Sequence, residues 1–267
     1  MSALLAQATP SPSVSTPSSD AVLFRALDRL RAYQTPPYVV YMTEEDGVYH
    51  RIAFRGTDEM MNDAALPTGS TLPPARVYRA FVGPLSYSLH EAIATPAPEA
   101  TPQPPSPTDL ETTLRTIAVV SSRGHLYDVS VATPQTIDGH ATYHIVLHPR
   151  RDPDKNAIRD LWIDRSNYDV VRADYVYSDP PDFQEPGSKA YLTVNFQTVG
   201  AYRIAANWIA IYHAPDLRTP VYRELKVVKM SFPASLPDWL FDASAYREHE
   251  RAHDPDYLTT FFNAPPK

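Results

Sequence analysis

The residues of this chain whose types and spacing could do chemistry are few. Near the C-terminus, His249-Glu250-Arg251-Ala252-His253 has the form H-E-x-x-H. On a helix that spacing sets two imidazoles one turn apart for a zinc ion, with the glutamate beside a metal-bound water as general base. Pro255 ends such a helix almost at once, and no H-x-x-G-x-x-H continuation follows. The pair His249 and His253 is therefore kept as an alternative metal site, and zinc-dependent hydrolysis as an alternative activity, against a solvated, charged terminal helix. His140, His144 and His148 share parity on a strand, but a spacing of four separates neighbours by about 13 Å, too far for one ion to gather all three. Asp160 with Asp164 and Asp152 with Asp154 are carboxylate pairs that read as solvated acids, since acid–base work needs a pocket and opposed environments. The chain has no cysteine, no G-x-S-x-G, no P-loop and no G-x-G-x-x-G. No catalytic residue and no cofactor is assigned, and the reading is of a protein that is not an enzyme.

The balance of charge excludes a further class. A formal net charge of −7 and a pI near 5.7 leave no stripe of Lys and Arg to neutralise phosphates, so nucleic acid is not an expected partner. No stretch approaches the roughly 18 to 20 apolar residues of a transmembrane span. The first residues, MSALLAQATPSPSVSTPSSD, resemble the tail of a secretory signal, with a short apolar run followed by small residues and then polar, proline-rich sequence. Residues 1–18 are thus expected to be a disordered tail, either a signal-peptide remnant or a cytoplasmic tail of no targeting value, and of the two the compartment taken is periplasmic or secreted.

Elements that must position any site follow from periodicity. Ser19 or Asp20 can cap a helix over Ala21 to Ala32, in which Leu23, Leu27 and Leu30 make an apolar stripe that Phe24 and Ala26 widen. Extended segments follow at Tyr38 to Thr43, Val48 to Arg55 and Arg76 to Val82, with Asp46-Gly47 as a hairpin signal. Residues 57–75 read as an irregular loop. From 95 to 107, six prolines in thirteen residues make a polyproline-like excursion that cannot join a sheet interior. Strands then recur at about Leu114 to Ser121, Leu126 to Thr133, Ala141 to Pro149, Ile158 to Asp164, Asp169 to Tyr177, Lys189 to Val199, Ile204 to Tyr212 and Val221 to Ser231. Alternation is clean in one of them, where Ala190, Leu192, Val194 and Phe196 face one way and Tyr191, Thr193, Asn195 and Gln197 the other. Tyrosines near Asp174 to Tyr177 are placed on the wet face. The fold class is α+β: a strongly curved antiparallel sheet, an incomplete β-barrel, with the N-terminal helix packed across its concave face.

Two runs carry a resemblance. In IDGHATYHIVLHP a glycine precedes a strand of the form Tyr-x-Ile-x-Leu-x-Pro, and LWIDRSNYDVVR passes from a Leu-Trp-Val-Asp-like strand end through a turn to Val-x-Arg. With Gly139, Tyr143, Pro149, Leu161, Trp162, Ile163, Asp164, Val171 and Arg172 in those places, the chain resembles the periplasmic lipoprotein-carrier superfamily, the LolA/LolB-like outer-membrane lipoprotein-sorting proteins. The closing SLPDWLF, Ser235 to Phe241, also fits. The resemblance implies a half-barrel domain over 19–241, interrupted by the 95–107 insertion, that carries acyl chains or binds an acylated or peptide partner. Residues 242–267 are then a C-terminal helical extension.

The expected function is uptake of acyl chains, lipoprotein or an apolar peptide in the half-barrel cavity, outside the cytoplasm. The expected lining is Leu27, Leu30, Ile145, Leu161, Leu192, Val194 and Phe196. The expected partners are a lipid or acylated protein and an envelope protein; a regulatory or scaffold module of an envelope complex is the remaining alternative.

Overall fold

The structure, a computed structural model, describes residues 17–34, 36–45, 48–55, 58–64, 78–82, 85–88, 94–96, 126–153, 156–178, 187–215, 218–242, 245 and 248. The tail before Pro17, the strand expected at Leu114 to Ser121 and the 249–253 motif lie outside them. Helix α1 (Ser19–Arg31) begins earlier than expected because Ser18 is the cap, its Oγ accepting from the Ala21 amide at 3.3 Å. Asp20 in the first turn and Arg29 and Arg31 in the last match the helix dipole. Its buried stripe is Val22, Leu23, Ala26, Leu27 and Leu30. Phe24, expected in that stripe, is instead 42% exposed, because it shares its side of the helix with exposed Asp28 and Arg31, four and seven residues on, and the sheet covers the other side.

Among the described residues thirteen strands form one antiparallel sheet. The first six are β1 (Tyr38–Glu45), β2 (Val48–Arg55), β3 (Asp58–Ala64), β4 (Tyr78–Val82), β5 (Leu85–Ser88) and β6 (Ala94–Pro96). The rest are β7 (Tyr127–Ile137), β8 (His140–Pro149), β9 (Ile158–Asp164), β10 (Val170–Ser178), β11 (Lys189–Val199), β12 (Tyr202–His213) and β13 (Val221–Ser231). Residues 58–64, expected in a loop, form β3, which pairs with β2 from Tyr49↔Ala64 to Arg55↔Asp58. Its sequence, DEMMNDA, has too little apolar alternation to announce a strand, and ladder bonding to β2 decides the matter.

The order across the sheet is β6-β5-β4-β3-β2-β1-β13-β12-β11-β10-β9-β8-β7. The chain therefore winds outward from β1 to β6, passes to the opposite edge, and winds back until β13 pairs with β1. Strands on both sides of the proline-rich stretch belong to the same ladder, and that stretch falls in sequence at the break between the two edges. Pro96 lies on the edge strand β6, where a missing N–H costs no ladder bond. At the β7–β8 hairpin, Ile137 pairs with His140 across Asp138 and Gly139, both with positive φ (48° and 83°), the geometry of a two-residue primed turn that glycine accepts without strain.

The sheet is open and curved, and α1 crosses its concave face. The helix stripe and the inward residues of β7 to β12 make one buried cluster that includes Tyr127, Tyr143, Ile145, Leu147, Leu161, Ile163, Ala173, Leu192, Val194 and Phe196. Tyr175, expected on the wet face, belongs to this cluster, and Tyr177 packs against it. The Tyr175 hydroxyl masks the fact that this residue shares parity with Ala173. A second cluster, Val39, Tyr41 and Ile52 with Leu225, Val227 and Phe232, continues the core under β1, β2 and β13. A 3₁₀ turn at Asp238–Phe241 touches β3 and β4, and Arg55 lies over the Phe241 ring at 4.3 Å while bonding Asp238 at 2.5 Å.

Candidate binding site beneath the N-terminal helix

All seven residues expected to line a cavity belong to the single cluster under α1, each 8% exposed or less. Leu27 and Leu30 come from the helix, Ile145 from β8, Leu161 from β9, and Leu192, Val194 and Phe196 from β11. The concave face is therefore occupied at this point by the helix's own side chains. What the strands present beneath it is an apolar floor packed against those leucines.

Polar groups fasten the C-terminal end of α1. Arg29 Nε donates to Asp169 Oδ1 at 2.9 Å, Arg29 Nη2 donates to the Tyr33 hydroxyl at 2.8 Å, and that hydroxyl lies 2.9 Å from both Asp169 oxygens. Thr198 joins at 3.1 Å from Tyr33 and accepts from Arg203 at 2.9 Å. Arg203, 6% exposed, also donates to the Val170 carbonyl at 2.7 Å. Burial lowers the Arg203 pKa, which the nearby Asp169 carboxylate opposes. Just beyond, the Gln34 amide donates to the Ala201 carbonyl at 3.0 Å, so the end of the helix segment is pinned to the β11–β12 turn.

The rim beside the helix carries a second feature. Asp164, at the end of β9, accepts from the Ser166 amide at 2.7 Å and the Ser166 hydroxyl at 2.5 Å, and its other oxygen lies 2.5 Å from His140 Nδ1. Its side chain is 6% exposed, which corrects the expectation of a solvated acid. Burial alone would raise its pKa, but the Ser166 hydroxyl and amide, His140 and the Asn167 amide together outweigh that and hold the carboxyl below its ordinary range. An Asp followed by Ser166 and Asn167 is a turn in which the carboxylate caps the backbone after it, the signal that could have found this site. Gly139, His140, Ala141, Tyr143, Asp164, Arg165 and Ser166 enclose an open pocket of about 510 Å³. A stack of side chains joins it to the helix. The Arg165 guanidinium lies 5.3 Å from the Tyr143 ring centroid, Tyr143 stacks on Tyr168 at 6.0 Å, and Arg25 of α1 lies over Tyr168 at 5.0 Å while donating to its hydroxyl at 2.6 Å.

On the sheet's other face the strand histidines find separate partners. His144 stacks on Trp162 with ring centroids 4.6 Å apart and meets Asp160 at 2.7 Å, while Arg172 covers Trp162 at 4.5 Å and grips Asp174 with two bonds. His148 stands opposite Asp128 in the ladder. Among the described residues no group of three or more His, Asp or Glu could hold a metal ion.

No protein-family model matches the sequence, and no curated protein matches it. Solved structures do show similarity. A putative outer-membrane lipoprotein-sorting protein domain from Vibrio parahaemolyticus is 11% identical, with 83% of this chain and 96% of that one covered and a TM-score of 0.44. A LolA superfamily protein from Nitrosomonas europaea is 13% identical, covering 85% and 98% with a TM-score of 0.40. A DUF1329 family protein from Desulfovibrio piger is 14% identical, covering 86% and 99% with a TM-score of 0.44. Among the described residues no helix is long and apolar enough to cross a membrane.

Proposed function

We propose that this chain is an extracytoplasmic binding protein that takes up acyl chains, or an acylated or apolar peptide partner, between the sheet and α1. The observation that carries the reading is the amphipathic helix lying with its whole apolar stripe on the concave face of an open sheet. Such a helix is a substitute ligand. A hydrocarbon chain that displaced it would exchange apolar contact for apolar contact, so the area term, about 25 cal/mol per Å², would be nearly conserved and modest affinity would suffice. Leu27 and Leu30 would be the residues that leave, and Ile145, Leu161, Leu192, Val194 and Phe196 the floor that remains. Carriage of acyl chains is also what the resemblance at 137–149 and 161–172 implies, and an envelope protein delivering or receiving the cargo would be the protein partner.

Native mass spectrometry of the purified chain, with a fluorescent fatty-acid displacement assay, tests the reading. Copurified lipid, or saturable probe binding displaced by a long-chain fatty acid, is the expected result. A chain that carries no lipid and leaves the probe's emission unchanged would overturn it.

A further inference from the structure

We propose that the rim pocket between the β7–β8 and β9–β10 turns takes the anionic head group, a phosphate or carboxylate, of an amphiphile whose tail lies under α1. This rests on the binding function proposed above and adds the polarity of the cargo. Three observations converge. First, the pocket offers a cation, Arg165, while the acid next to it in sequence is already engaged: Asp164 is held by Ser166 and His140. Arg165, exposed at the mouth, has a ring contact to Tyr143 and no salt bridge to a described acid. Second, in a chain of net charge −7, two exposed acids of the flanking elements, Asp138 in the hairpin turn and Asp28 one turn along α1 from Arg25, lie outside the pocket lining, so the lining holds no acid besides the engaged Asp164. A guanidinium is a donor fork suited to a planar or tetrahedral oxyanion.

Third, the pocket shares a wall with the core. Tyr143 lines the pocket and is also a member of the cluster beneath α1, and through Tyr168 it bears Arg25 of that helix. A head group at Arg165 would therefore place its first methylenes against Tyr143, at the point where an apolar tail must pass to reach Ile145 and Leu161. The same stack gives a bound head group a route to disturb the Arg25 contact that helps hold the helix down.

Isothermal titration of the full chain with dodecyl phosphate, octaethylene glycol monododecyl ether and inorganic phosphate tests the proposal. We expect dodecyl phosphate to bind about tenfold more tightly than the uncharged ether, and Arg165→Gln to abolish that advantage while leaving the ether's affinity unchanged. Arg165→Lys should restore part of it, and the thermal midpoint should stay where it is, since Arg165 is exposed. If the two amphiphiles bind equally well and Arg165→Gln changes neither, the head-group site is overturned and uptake beneath the helix stands. If neither amphiphile binds, both ideas fall, and inorganic phosphate binding lost in Arg165→Gln would then mark a site for a free anion instead.

Discussion

Asp164 is where a single residue's environment makes a measurable demand. Its folded pKa is lowered, so the charged form is favoured in the native state, and the stabilisation is complete above the ordinary carboxylate range and lost as pH falls through the folded value. Asp164→Asn keeps the shape but removes the charge that strengthens the bonds from Ser166 and His140. The variant should lose about 1.5–3 kcal/mol at pH 7, with the gap between it and the parent closing below about pH 4. Urea unfolding at pH 7 and pH 3 measures this, and a gap that stays constant with pH would show that the carboxylate's charge is not the source. Asp169 makes a second case, because Arg203 is buried beside it. Asp169→Ala removes the carboxylate that Arg29 and Tyr33 both bond and whose charge offsets the burial of Arg203, and should cost about 1.5–3 kcal/mol, while Arg29→Met, which removes a partly exposed partner, should cost much less. Equal losses in the two variants would refute the ranking.

At the scale of elements, Leu23 has the most to say about why α1 stays on the sheet. It is fully buried in the main cluster, so Leu23→Ala should destabilise by about 2–5 kcal/mol, whereas Phe24→Ala, on the solvent side, should fall within about 0.5 kcal/mol of the parent. Thermal or chemical unfolding separates them, and similar losses would mean that the helix packs in another orientation. The leucine repeat makes this helix legible in the sequence, yet residue type alone puts Phe24 and Tyr175 on the wrong faces. Apolar character misleads in the one and a hydroxyl in the other, when position on the helix and parity on the strand decide both. β11 is legible to the residue because its alternation is unbroken; β3, with acids at Asp58, Glu59 and Asp63, is not, because its partner strand and not its own composition makes it extended. The candidate site divides in the same way. Its apolar members follow from periodicity, but the Arg29–Tyr33–Asp169–Arg203 cluster joins residues far apart in the chain, and no local pattern announces such a meeting.

The whole molecule rests on one non-local decision, the pairing of β1 with β13, which joins Val40 to Ser231 and turns two meanders into one sheet. Curvature can be foreseen from the number of strands, but that junction cannot, since neither strand's sequence names its neighbour. The architecture it creates leaves α1 fastened unevenly. Its last turn and the residues after it are tied by Arg29 and Tyr33 to Asp169 and by Gln34 to Ala201, whereas its first half is held by apolar contact and by Arg25 on Tyr168. Displacement by a tail should therefore pivot the helix about its C-terminal end. The chain has no cysteine, so spin labels at Phe24→Cys and Tyr222→Cys, both exposed positions, report on the first half of the helix relative to the sheet without background. The expected result is a single narrow distance distribution for the unliganded chain that broadens or moves when dodecyl phosphate saturates it. A second pair, at Arg31→Cys and Tyr222→Cys, should change much less. If the ligand is bound by titration and neither distribution moves, the helix is not what makes room for it, and the tail must lie elsewhere along the concave face.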